Sequence, residues 1–173
     1  VHNVEVFISN GREEDRYRDI GVDVLSRLQH LLRYELGYDV AIGNWDYRHA
    51  PPTVVAAGGL AATSLRMVDR SQCLVAIFGR RMPPITTAEV RQAFELRQSH
   101  SEIDVFVFAN PDRVTDRYHA FVREISDTYG EQIQWAPYAD PLSFQAILYI
   151  TLTKFLLERL ATGIPAFLTR GAT

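Results

Sequence analysis

Cysteine is almost missing from this sequence. Cys73 is the only one, which excludes an internal disulfide and a thiolate zinc site. Long apolar runs are missing too: no stretch approaches the roughly 18 consecutive apolar residues of a membrane-spanning helix. The chain therefore reads as soluble and cytoplasmic, with no membrane partner. Charge of one sign never accumulates. Eighteen Lys and Arg stand against 21 Asp and Glu, a formal net charge of -3, so no basic stripe is available to neutralise a phosphate backbone and nucleic acid is not an expected partner. The five histidines, His2, His30, His49, His100 and His119, show no metal-ligand spacing, and no metal is expected. No G-x-S-x-G elbow occurs, which argues against a hydrolase of that class. The sequence opens on Val1 without a charged and then apolar leader, and reads as a processed start or an excised domain.

What is present is one domain's worth of core: 173 residues, 47% apolar and 23% charged. Val4, Val6 and Ile8 form a short strand that stops at Ser9-Asn10-Gly11. Ile20, Val24, Leu28, Leu31 and Leu32 recur at helical spacing between Asp15 and Gly37, where the glycine suits a C-terminal cap. Tyr38, Val40 and Ile42 read as a second strand, followed by a polar loop from Gly43 through Pro52. A weaker helix spans Ala56 to Val68, its start pushed toward Leu60 by the Gly58-Gly59 pair. The unbroken apolar run Cys73 to Phe78 suits a central strand covered on both faces, with Cys73 acting as a small hydrophobe. A loop from Arg80 to Ile85 then leads to a helix from Thr86 to about Gln98.

Val105 to Ala109 is the fourth strand, Tyr118 to Ile125 mark a helix ended by Gly130, and Ile133 to Ala136 is the fifth strand. Asp140-Pro141 opens a last helix, because Asp caps free N–H groups and Pro at the first helical position has no donor to orphan. Strands alternating with helices predict a three-layer, flavodoxin-like α/β domain with a five-stranded parallel sheet. That domain is expected over 1–162, with 163–173 as a tail or linker to a further domain.

In such sheets ligands bind outside the carboxyl ends of the strands, where helix N-termini and loop amides converge. The rule selects Ser9, Asn10 and Gly11 after strand one, Trp45, Asp46, Arg48 and His49 after strand two, Arg80 and Arg81 after strand three, and Trp135 and Tyr138 near strand five. Small residues, arginines, aromatics and a carboxylate are the right types to hold a nucleotide. Glu89 lies one turn into the helix after strand three. Thr86-Thr87-Ala88-Glu89 fits the S/T-x-x-E capping box, and a carboxylate at this place could equally stabilise an oxocarbenium-like centre as a glycosidic bond breaks.

Val6-Phe7-Ile8-Ser9 followed by Asp15, the polar loop after strand two, Cys73 to Gly79, and Glu89 in the next helix together resemble a TIR-like domain over roughly residues 4 to 160. The resemblance implies the sheet order 2-1-3-4-5. In catalytic members it implies hydrolysis of NAD at the nicotinamide-ribose bond, with Glu89 as the acting acid, NAD as substrate and no cofactor; Ser9, Asn10, Gly11, Trp45, Asp46, Arg80 and Tyr138, selected by the strand-end rule, are then the expected substrate contacts. Bacterial members of this kind often serve in antiphage defence, fused to a sensor domain and activated by assembly, so a homo-oligomer is implied. Val68-Asp69 through Gly79, then Thr86, Glu89 and Ala93, are also similar to nucleoside deoxyribosyltransferases, which break an N-glycosidic bond with a glutamate. A noncatalytic signalling or assembly module is the alternative of another class. On the last helix Ile150, Leu152, Phe155, Leu156, Leu157 and Leu160 spread over more than the usual ~100° core stripe. Part of that surface either faces another chain or is covered within its own domain.

Overall fold

A computed structural model of the chain describes residues 1–46, 59–99, 102–131, 133 and 135–163. The strands are β1 (His2–Asn10), β2 (Val40–Trp45), β3 (Cys73–Phe78), β4 (Asp104–Ala109) and β5 (Trp135–Pro137). They form one sheet in the order β2-β1-β3-β4-β5, and every neighbouring pair is parallel. Among the described residues the helices are α1 (Asp15–His30), α2 (Gly59–Arg70), α3 (Pro84–Gln98), α4 (Asp116–Tyr129) and α5 (Pro141–Gly163), with a 3-10 turn at Arg12–Glu14 and a wide turn at Leu31–Glu35 extending α1.

Strand alternation divides the core into two halves. Val4, Val6 and Ile8 of β1 and Cys73, Val75 and Ile77 of β3 face α1 and α5. Phe7, Leu74, Ala76 and Phe78 face α2, α3 and α4. All six residues of β3 are buried, as the unbroken apolar run requires of a central strand. The Cys73 thiol lies wholly inside it, and burial pushes its pKa well above the usual thiol value. This three-layer arrangement is the predicted flavodoxin-like fold.

Several boundaries differ from the sequence reading. Helix α3 starts at Pro84 rather than Thr86, with Pro83 as the preceding residue. A proline at the first helical position loses no hydrogen bond, so Pro83-Pro84 was the true start signal. β5 is Trp135–Pro137, shifted from Ile133–Ala136. β2 runs on through Trp45, into the segment expected to be loop. The start expected for α2 at Ala56 and the tail 164–173 lie outside the described residues. The ends expected of Gly130 and Asp140-Pro141 are as anticipated: Gly130 takes the left-handed φ of 66° that ends α4, and Asp140 Oδ1 accepts the Ser143 N–H at 2.8 Å.

Candidate active site

The strand order reverses direction between β1 and β3, so the chain leaves these two central strands toward opposite faces and a crevice opens at their carboxyl ends. A cavity of about 220 Å³ occupies it, lined from the β1 side by Phe7 through Arg12 and from the β3 side by Pro83 through Thr86 together with Glu89. Parallel pairing places Ser9 beside Ala76 and Asn10 beside Ile77, which sets the post-β1 turn directly against the start of α3.

Glu89 sits on the second turn of α3 and is 4% exposed. Its carboxylate accepts hydrogen bonds from the Ser9 hydroxyl and from Ser64 of α2, itself buried. Among the described residues no lysine or arginine forms an ion pair with it. Burial raises its pKa from 4.5 to about 7, against the two hydroxyl donors, which lower it. The capping role is overturned. Thr86 is a buried residue inside α3, the helix opens at Pro84, and no side chain caps its N-terminus. Glu89 points its oxygens at Ser9 and Ser64 instead.

Of the residues selected from sequence, Ser9, Asn10, Gly11 and Glu89 meet around this one cavity. Asn10 Nδ2 donates to Gly11 O at 2.7 Å and Asp15 Oδ1 at 3.0 Å, while its own Oδ1 is buried without a donor among the described residues. A Cβ on Gly11 would lie 2.5 Å from Pro83 Cγ, so the close approach of the two loops needs glycine here.

The other selected residues do not line the cavity. Trp45 stacks at 4.9 Å on Phe7, which lines the cavity. Asp46 is fully buried with its Oδ2 3.9 Å from Arg18 Nε. Arg80 is exposed and lines a separate groove with Arg81 and Arg117. Tyr138 is buried against Tyr17 and Phe144 and donates its hydroxyl to Glu14 Oε2 at 3.2 Å. Trp135 is 38% exposed at the sheet edge. Arg48 and His49 lie outside the described residues. Sequence reasoning missed Ser64, whose helix carries no motif, and the Pro83-Pro84-Ile85 wall. Among the described residues no cluster of His, Cys, Asp and Glu could hold a metal ion, and no helix is long and apolar enough to cross a membrane.

No family model matches the sequence, and no curated protein matches it either. Solved structures share its architecture at low identity. A CMP N-glycosidase from Clostridium botulinum superposes with a TM-score of 0.51 and 13% identity, covering 84% of this chain and 98% of that one. A flavodoxin-like domain from a Synechococcus protein gives 0.47 and 12%, over 88% and 99%. The RPS4 and RRS1 TIR domain heterodimer gives 0.45 and 15%, over 89% and 96%. At these identities the likeness is one of fold.

Proposed function

We propose that this chain cleaves the N-glycosidic bond of a nucleotide, with NAD, split between nicotinamide and ribose, as substrate and Glu89 as the carboxylate at the sugar. The observation that carries this reading is the setting of Glu89. It is a buried acid on a cavity at the β1/β3 crevice, held by two hydroxyls and, among the described residues, tied to neither a cation nor a helix end. An acid so placed has its charge available to a ligand. The activity named for the Clostridium botulinum neighbour, hydrolysis at a nucleotide's glycosidic bond, supports the reaction class.

In the proposed step the C1′–N bond breaks and its electron pair passes to the ring nitrogen. That nitrogen carries the positive charge of the pyridinium, so nicotinamide leaves neutral and takes no proton. Positive charge develops on ribose C1′, and the Glu89 carboxylate offsets it or attacks it. Water then adds at C1′ and releases one proton. Ser9 and Ser64 orient the carboxylate, and the unpartnered Asn10 Oδ1 suits a sugar hydroxyl. A cavity walled by Phe7, Ile8, Pro83 and Ile85 limits water around the anion and strengthens its field at C1′.

The test incubates concentrated protein with NAD and, separately, with CMP, beside Glu89→Gln, and follows released base by chromatography. Nicotinamide release that disappears in the variant is the expected result. Cytosine release in its place keeps the reaction class and changes the substrate. Absence of base from either nucleotide, with the protein folded and assembled, overturns the reading in favour of a noncatalytic module.

A further inference from the structure

A second acid is buried just after β1, and the proposed chemistry does not use it. Glu14, at the end of the 3-10 turn, is 2% exposed. Its Oε1 lies 3.0 Å from Arg113 Nη1, its Oε2 accepts from that same nitrogen at 3.3 Å, and the Tyr138 hydroxyl donates to Oε2 at 3.2 Å. Arg113 belongs to the loop after β4 and Tyr138 follows β5. Glu14 therefore ties the turn after β1 to two other strand-end segments. The Glu14 carboxylate occupies the space that a side chain on Gly79, just after β3, would take.

What this clamp holds is a thin partition. Gly11, Arg12, Pro83 and Pro84 line the Glu89 cavity on one side and a second space of about 300 Å³ on the other, and Glu13 and Glu14 line only the second. Within this partition Gly11 packs closely on Pro83, and Asn10 Nδ2 donates to Gly11 O at 2.7 Å. The segment is held at both ends as well. Ser9 is held in the β1–β3 ladder and on Glu89, and Glu14 is held by Arg113 and Tyr138, with its N–H returning to Gly11 O at 2.9 Å. Only Asn10 to Glu13 intervene.

We propose that Glu14 is a positioning residue for the Glu89 cavity: by binding Arg113 and Tyr138 it fixes the Gly11–Arg12 partition that forms one wall of the ligand site. The proposal rests on the reading of that cavity as a ligand site. The charged and titratable groups facing Glu14 are Arg113, Tyr138, Glu13 and Tyr17, and its pairing with Arg113 is what makes so deep a burial of a carboxylate tolerable.

The test compares Glu14→Ala, Gly79→Ala, which expels the carboxylate while keeping Glu14, and the milder Tyr138→Phe, which removes one donor. The Glu89 carboxyl resonance is followed through a pH titration on labelled protein, alongside steady-state kinetics with NAD. A loosened partition admits water to Glu89, so its midpoint falls from about 7 toward 4.5 by about one pH unit in the first two variants. KM rises at least about tenfold while kcat changes less. Tyr138→Phe shifts both in the same direction and by less. If the variants lose thermal stability but leave the Glu89 midpoint and KM unchanged, Glu14 is only a structural ion pair and the proposal is overturned. The titration needs no substrate, so a wild-type protein that cleaves no nucleotide refutes the functional reading and still leaves the clamp to be decided.

Discussion

Glu89 and Glu14 are both buried acids at the carboxyl ends of the strands, 4% and 2% exposed, and they are held in opposite ways. Among the described residues Glu89 meets hydroxyls and a cavity, and no cation. Glu14 meets a guanidinium and a phenol. Burial raises both pKa values, but for Glu14 the neighbouring Arg113 opposes the shift. On the proposed reading, the difference separates an acid available for chemistry from an acid used as an anchor. A carboxylate already neutralised by arginine has little field left for a substrate cation, whereas one solvated by two hydroxyls keeps most of its own.

The largest effect that breaks this comparison is Glu89→Gln. Loss of the anion at C1′ should cost at least about 100-fold in kcat/KM, measured as nicotinamide release. Stability should move the other way. The folded protein holds the Glu89 proton up to about pH 7 while the unfolded chain releases it near 4.5. Folding is therefore disfavoured progressively as pH rises between those values, by about 3 kcal/mol once Glu89 is fully ionised. Glutamine keeps the hydroxyl contacts without the charge. The variant should be more stable than wild type at pH 8 and no more stable at pH 4, read by urea denaturation at both. A variant less stable at pH 8 would mean that Glu89 is a structural acid after all.

The sheet and this acid were legible in the sequence for the same reason: both follow from local pattern. Cys73 to Phe78 is an unbroken apolar run that suits a strand covered on both faces, and Glu89 lies in the helix that follows it, near the carboxyl ends of the strands. Ser9, Asn10 and Gly11 were found by the same rule. The rule failed where a side chain's direction depends on partners distant in sequence. Trp45 and Tyr138 stand near the right edge but turn onto Phe7 and Glu14, and Asp46 turns onto Arg18. Nothing in Arg12-Glu13-Glu14-Asp15 marks one acid for burial, since its arginine arrives from Arg113, ninety-nine positions away. The capping-box motif misled because Thr86 satisfies the pattern whether or not the helix starts there, and Pro83-Pro84 starts it sooner.

An intermediate effect sharpens the electrostatic half of the comparison. The cleavage reaction needs ionised Glu89, so kcat/KM should rise with pH along a limb centred near pH 7. Ser9→Ala removes a donor that favours the anion. The pKa then rises further and the limb moves to higher pH by about one unit. Ser64→Ala should move it in the same direction. A limb that stays in place in both variants would mean that the hydroxyls do not govern the ionisation of Glu89.

The smallest effect belongs to Arg81, which pairs with Glu13 at 2.8 Å but is 82% exposed. Glu13 and Glu14 are adjacent in sequence, and their cation partners both come from strand-end loops, so the two pairs look alike on paper. Solvent distinguishes them. An exposed pair gains little over its hydrated ions and loses side-chain entropy, so Arg81→Ala should change unfolding free energy by no more than about 1 kcal/mol and leave the Glu89 titration in place. Urea denaturation and the same carboxyl titration decide it. A shift in the Glu89 midpoint on removing Arg81 would show that the partition is braced from its outer side as well, and that the contrast between a buried anchor and a surface pair does not describe this turn.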